Sequence, residues 1–256
     1  MPATSLLRRA LRRRRALGVA LALVATFAAA RAGAQRGYFR EYIEPNAEYD
    51  GQFTFVRLRY TGWSSRWIAD YPAMERNFMT ILNDLTTVHP RVGRSNILTM
   101  DDPELSRYAV AYVCEPGFWT PTDAEATALR QWIAKGGFLI VDDFYDRQWD
   151  TFERAMKKVL PDGRIVPLTV AHPVFNSFFK IESLDGMAHP DNANAKAKYL
   201  GIYEGNDPTQ RLLVVINYNN DIGDYMEWSG QGVYAINFSN DAYKLATNYI
   251  VYGLTH

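Results

Sequence analysis

The chain has 256 residues, 48% hydrophobic, 14% aromatic and 22% charged, a globular composition that excludes collagen-like, coiled-coil and wholly disordered chains. Its 28 basic and 28 acidic side chains cancel, but residues 1–34 hold seven Arg and no acid, which leaves a net charge of −7 on the remaining 222 residues. A body that acidic has no broad electrostatic reason to bind nucleic acid or an anionic membrane, and its length fits one large domain with a substantial core.

The first segment reads as a secretory leader. Arg8, Arg9 and Arg12 to Arg15 form a basic region, residues 16–30 an apolar one, and Ala32-Gly33-Ala34 supplies small residues where a signal peptidase cuts. The apolar stretch is shorter than the roughly 20 residues a membrane helix needs. The expected product starts at Gln35, has no membrane span, and is exported to the periplasm or secreted. Residues 35–52 read as a lead-in arm, and residues 53–256 as a single α/β domain.

Within that domain, FTFVRLRY (53–60) is rich in β-formers and predicts a strand. Met74, Phe78, Ile81, Leu82 and Leu85 share one helical face, with Asp70 or Tyr71 as cap. NILTM (96–100) predicts a second strand, and YAVAYV (108–113) a third, buried on both faces. Thr120 and Pro121 open a helix striped with Ala126, Leu129, Trp132 and Ile133, which Gly136 stops. GFLIV (137–141) predicts a fourth strand, followed by a helix carrying Trp149, Phe152, Met156, Val159 and Leu160. Further on, IVPLTV, AKYLGIYEG, RLLVVINYN and GVYAINF read as strands, residues 184–197 and 219–231 as polar loops, and Ser239 or Asn240 as the cap of a last helix. The alternation predicts an α/β fold with a mostly parallel, doubly wound sheet and an added antiparallel C-terminal part.

Several segments resemble an uncharacterised bacterial family known as domain of unknown function 4159: FVRLRY-TG at 55–62, the Gly-Phe-Trp-Thr-Pro-Thr segment opening a helix, GGFLIVDDF (136–144), HPVF (172–175) and NYNNDIGDYMEW (217–228). The resemblance runs from about Phe53 to Gly253. It implies a flavodoxin-like sheet akin to class I glutamine amidotransferase-like domains, and it implies no activity.

In such a sheet, ligands bind beyond the carboxyl ends of the strands. Those ends carry Trp63, Asp101, Asp102, Glu115, Trp119, Asp142 and Asp143, so carboxylates and aromatics are expected at one edge. Glu115 should lie close to Asp142 or Asp143, with Trp63 and Trp119 as walls and Arg59, Arg147 or a cation to neutralise the charge. Successive strand residues face opposite ways, so only one of Asp142 and Asp143 is expected to face a pocket. His172, Asn217 and Asp224 complete the candidate ligand-binding set. His172 also reads as a turn anchor, and His189 as a solvated loop residue.

No motif calls for a metal or a cofactor. The histidine spacings of zinc sites, the EF-hand loop, the P-loop and the dinucleotide fingerprint are all missing. Cys114 is the single cysteine, followed by Glu115 and Pro116 rather than by a nucleophile elbow, and it reads as a buried thiol. The sequence therefore predicts an exported envelope domain that binds a small molecule or an envelope protein without cysteine chemistry. The alternative is a hydrolase acting on a sugar or envelope polymer through carboxylates, with or without a metal.

Overall fold

The structure, a computed structural model, describes residues 43–256, of which Pro45–His256 form one compact unit. The predicted leader and the cleavage after Ala34 lie outside the described residues.

Seven strands make one sheet: β1 (Val56–Arg59), β2 (Asn96–Thr99), β3 (Val110–Cys114), β4 (Phe138–Asp142), β5 (Val166–Pro167), β6 (Lys198–Tyr203) and β7 (Leu212–Tyr218), in the order β2-β1-β3-β4-β7-β6-β5. The first five in that order run parallel, whereas β6 is antiparallel to both β7 and β5. The expected α/β architecture with an antiparallel C-terminal addition is therefore present. The strand order reverses between β1 and β3, which is where doubly wound sheets open a crevice at the carboxyl edge.

The strands are nearly continuous apolar runs because both faces are covered. On one face Leu58, Val113, Val141 and Ile216 pack under α2 (Asp123–Ala134) and α3 (Gln148–Val159), through Leu129, Trp132, Phe152 and Met156. On the other face Tyr112, Cys114, Ile140 and Val215 meet α1 (Ala73–Leu85), α4 (Ile222–Glu227) and α5 (Ile236–Thr255), through Met74, Phe78, Met226, Leu245 and Tyr249. The second face holds the polar cluster described below.

Three local expectations change. The cap of α2 is Thr122, not Thr120: its hydroxyl accepts from the Glu125 amide at 3.1 Å while Glu125 accepts from the Thr122 amide at 2.7 Å. GVYAINF forms no strand, because both edges of β7 are already occupied by β4 and β6, and α5 instead starts at Ile236. The polar loop at 219–231 contains α4, capped by Asp221, whose carboxylate accepts from the Asp224 amide at 2.7 Å. Part of the lead-in arm docks on β2, where Asn46 bonds both the amide and the carbonyl of Ile97 at 2.8 and 2.9 Å.

Candidate functional site at the carboxyl edge

Asp142 is the last residue of β4, and its side chain is fully buried on the α1/α5 face. One carboxylate oxygen accepts from the Asn217 amide at 3.0 Å; the other accepts from the Tyr112 hydroxyl at 3.0 Å and from the Ile222 and Gly223 backbone amides at 3.0 and 3.1 Å. Tyr249 donates in turn to Asn217 at 2.9 Å. Asp142 thus fastens the first turn of α4 to the sheet. Burial and the neighbouring Asp143 charge raise its pKa to about 7, against the pull of these donors.

Asp143 does not point to the opposite face. Its backbone is left-handed, with φ +62°, which breaks the alternation of the strand and returns its carboxylate to the same side as Asp142. One Asp143 oxygen meets the His189 Nε2 at 2.9 Å, and the other accepts from the Cys114 thiol at 3.2 Å. His189 is buried, contrary to the solvated role expected of it, and Tyr145 packs against its ring at 4.3 Å. Its Nδ1 accepts from the Asp191 amide at 3.1 Å, so the ring proton sits on Nε2, from which it donates to Asp143.

Glu115 follows β3, also in a left-handed conformation, with φ +50°. Its buried carboxylate pairs with Arg66, whose own side chain is half exposed, and Tyr60 donates to its carbonyl at 2.5 Å. The neutralising cation is therefore Arg66; Arg59 and Arg147 lie exposed on the surface. Burial and the Asp143 charge lift the Glu115 pKa to about 7, with Arg66 opposing them. Asp70, again left-handed at φ +66°, turns its side chain toward Cys114 instead of capping α1. Burial, then the Asp143 charge, raise both Asp70 and the buried Asp221 well above the usual carboxylate range. The half-buried Asp224 and Glu227 shift the same way, chiefly through burial. The result is an acidic cluster with a buried floor, Asp143 and Asp221, and a half-buried rim, Asp70, Asp224 and Glu227.

Among the described residues, three groupings bring potential ligand atoms within 4.8 Å of one another: Asp70, Cys114 and Asp143; Asp143, His189 and Asp221; and Asp70, Asp224 and Glu227. The first contains a thiol that burial and the charges of Asp143 and Asp70 keep protonated. In the second, both His189 nitrogens are already engaged, Nδ1 by the Asp191 amide and Nε2 by Asp143. Only the third is an all-oxygen set, of the kind that suits a hard divalent cation. Cys114 is fully buried, touches a carboxylate rather than a base, and lacks the activation a nucleophilic thiolate needs.

Of the candidate site residues, Glu115, Asp142 and Asp143 from the strand ends and Asn217 and Asp224 from the segment after them do converge. Trp119 does not form a wall: it is fully buried in the opposite core, bridged to Gly62, with no partner for its indole N–H among the described residues. Trp63 is 71% exposed and packs on Phe118 at 4.5 Å, and Phe118 also lies under Arg66. His172 lies elsewhere, accepting from the Val174 amide at 3.1 Å and packing on Tyr203 and Tyr252. Its turn-anchoring role is the one present. Asp101 is exposed, and Asp102 caps the turn after β2.

Residues 54–254 match the model of a family described as a domain of unknown function, DUF4159. The chain belongs to the DUF4159 family. The match takes in every strand, every helix but the last residue of α5, and every acidic member of the cluster, from Asp70 to Glu227. No curated protein matches the sequence. For this DUF4159 domain, the chemistry of the cluster is therefore what points to a function.

Proposed function

We propose that this DUF4159 domain is an exported envelope protein that binds a positively charged ligand at the carboxyl edge of its sheet, without cysteine chemistry. One observation carries the reading: acidic groups from four separate chain segments (Asp70; Glu115; Asp143; and Asp221 with Asp224 and Glu227) converge on one place, where Arg66 beside Glu115 and His189 beside Asp143 are the basic partners seen among the described residues. Three of them stand in left-handed backbone, a conformation that costs about 1–3 kcal/mol each for a residue with a side chain and that clusters at functional sites. The leader pattern of residues 1–34 supports export.

Thermal unfolding in the presence of Mg²⁺, Ca²⁺, Mn²⁺ or putrescine tests the binding. A ligand at a hundred times its dissociation constant adds about 2.7 kcal/mol of stability, so at least one of these should raise the melting temperature saturably. Glu227→Gln removes one carboxylate of the all-oxygen set at the half-buried rim, and it should abolish the rise. No rise with any cation, or an equal rise in Glu227→Gln, would defeat the proposal.

A second reading has its own support. Glu115, with a pKa of about 7 and a guanidinium beside it, has the proton affinity of a general acid working near neutrality. That favours a carboxylate-based hydrolase of a sugar or envelope polymer. Turnover of peptidoglycan fragments that Glu115→Gln abolishes would establish it.

A further inference from the structure

The antiparallel addition creates a second feature, far in chemistry from the acidic cluster. On the α2/α3 face, α3 runs beside the added strands β6 and β5, and a cavity of about 630 Å³ opens between them. One face of α3 supplies Trp149 and Lys157, two turns apart, and β6 supplies Lys198 and Leu200, which alternate onto the same side of the strand. Tyr218, at the end of β7, and the loop residue Arg164 complete the lining that matters here.

Each part has a chemical consequence. Trp149 is half-buried, packed on Phe144 at 6.2 Å and on Tyr218 at 4.9 Å, so its ring is held rigidly where it borders the cavity. Lys198 lays its ammonium 5.7 Å over the Tyr218 ring. The side chains of Lys157, Arg164 and Lys198 are exposed at the cavity, opposed there by one acid, Glu153. Three cations around an aromatic and aliphatic floor are conspicuous in a body whose net charge is −7. The volume lies within the 300–1,000 Å³ of small-molecule sites, which are mostly apolar with a few placed charges.

We propose that this cavity binds a small planar ring bearing one or two anionic groups. The ring lies against Trp149 and Leu200, and the anionic group (carboxylate, sulfonate or phosphate) meets Lys157, Arg164 and Lys198. The site is independent of the carboxyl-edge cluster and prefers the opposite charge.

The test is an NMR titration of the full mature chain with naphthalene-2-sulfonate, with neutral 2-naphthol as the isosteric control. The expected result is a saturable shift of the Trp149 indole N–H and of residues 163–167 and 198–200, with the neutral ring binding at least tenfold more weakly. In Lys157→Glu/Arg164→Glu, whose altered side chains are exposed, sulfonate affinity should fall at least tenfold while the melting temperature stays within about 2 °C of the parent. Equal binding of the two rings, shifts centred elsewhere, no saturable shift, or indifference to the charge reversal would each overturn the proposal.

Discussion

Asp142 and Asp143 are adjacent, yet the hydrogen bonds that meet them assign different responses to the same substitution. Asp142 accepts from four donors, so in Asp142→Asn the new amide must face at least one of them. That change should cost about 2–4 kcal/mol in chemical denaturation. Crowding of carboxylates at the strand ends, taken alone and with no cation bound, would instead make the change tolerated or mildly stabilising, and with a divalent cation bound it would lower stability. At Asp143 the same change removes the charge that, after burial, does most to raise Glu115, Asp70 and Asp221. Carbon-detected NMR titration of Asp143→Asn should therefore show the Glu115 pKa falling from about 7 toward its ordinary value near 4.5. An unchanged Glu115 would mean that Asp143 does not set its proton affinity. Cys114→Ala should cost only about 1 kcal/mol and leave any cation-induced stabilisation intact.

At the scale of elements, the approach of α4 to the sheet is what brings the cluster together. It depends on Gly223, where an added Cβ would lie 2.5 Å from an Asp70 carboxylate oxygen and 2.9 Å from the Tyr112 hydroxyl. Gly223→Ala should displace Asp70 and weaken cation binding at least tenfold by thermal shift while circular dichroism stays native; unchanged binding would mean that Asp70 takes no part. Glu125 plays the matching role on the other face, tying the α2 capping box to the loop after β1 through the Thr61 amide at 3.0 Å and the Thr61 hydroxyl at 2.8 Å. Glu125→Ala should cost about 2 kcal/mol or more in chemical denaturation, beyond the roughly 1 kcal/mol of a single lost cap.

At the scale of the whole molecule, pH dependence follows from the raised carboxyls. Glu115 and Asp142, both with pKa values of about 7, hold protons in the native state that the unfolded chain releases near pH 4.5 and 3.8. The native state binds more protons across that interval, so their contribution is fully present below the unfolded values and is lost as pH rises through about 7. The melting temperature should be higher at pH 5 than at pH 8, and calorimetry showing the reverse would contradict the shifts.

The sequence makes the parallel strands legible because buried runs such as GFLIV leave no alternative, and the strand-end rule finds Glu115, Asp142 and Asp143. It does not reveal Asp70, which reads as a helix cap until its left-handed backbone is seen. Nor does it reveal His189, which a polar, Asn-rich loop disguises and only tertiary packing buries. Trp119 misleads for the complementary reason: a large aromatic at a strand end fits a wall and a core equally well in one dimension, and the core wins here.

The central claim is that the converged carboxylates bind a cation, and an NMR titration of the full chain with Mg²⁺ and then with putrescine tests it most directly. Saturable shifts confined to residues 69–71, 114–115, 142–143, 189 and 221–227 are the predicted result. Shifts centred on His172 or scattered over the surface, or no saturable response to either cation, would contradict it.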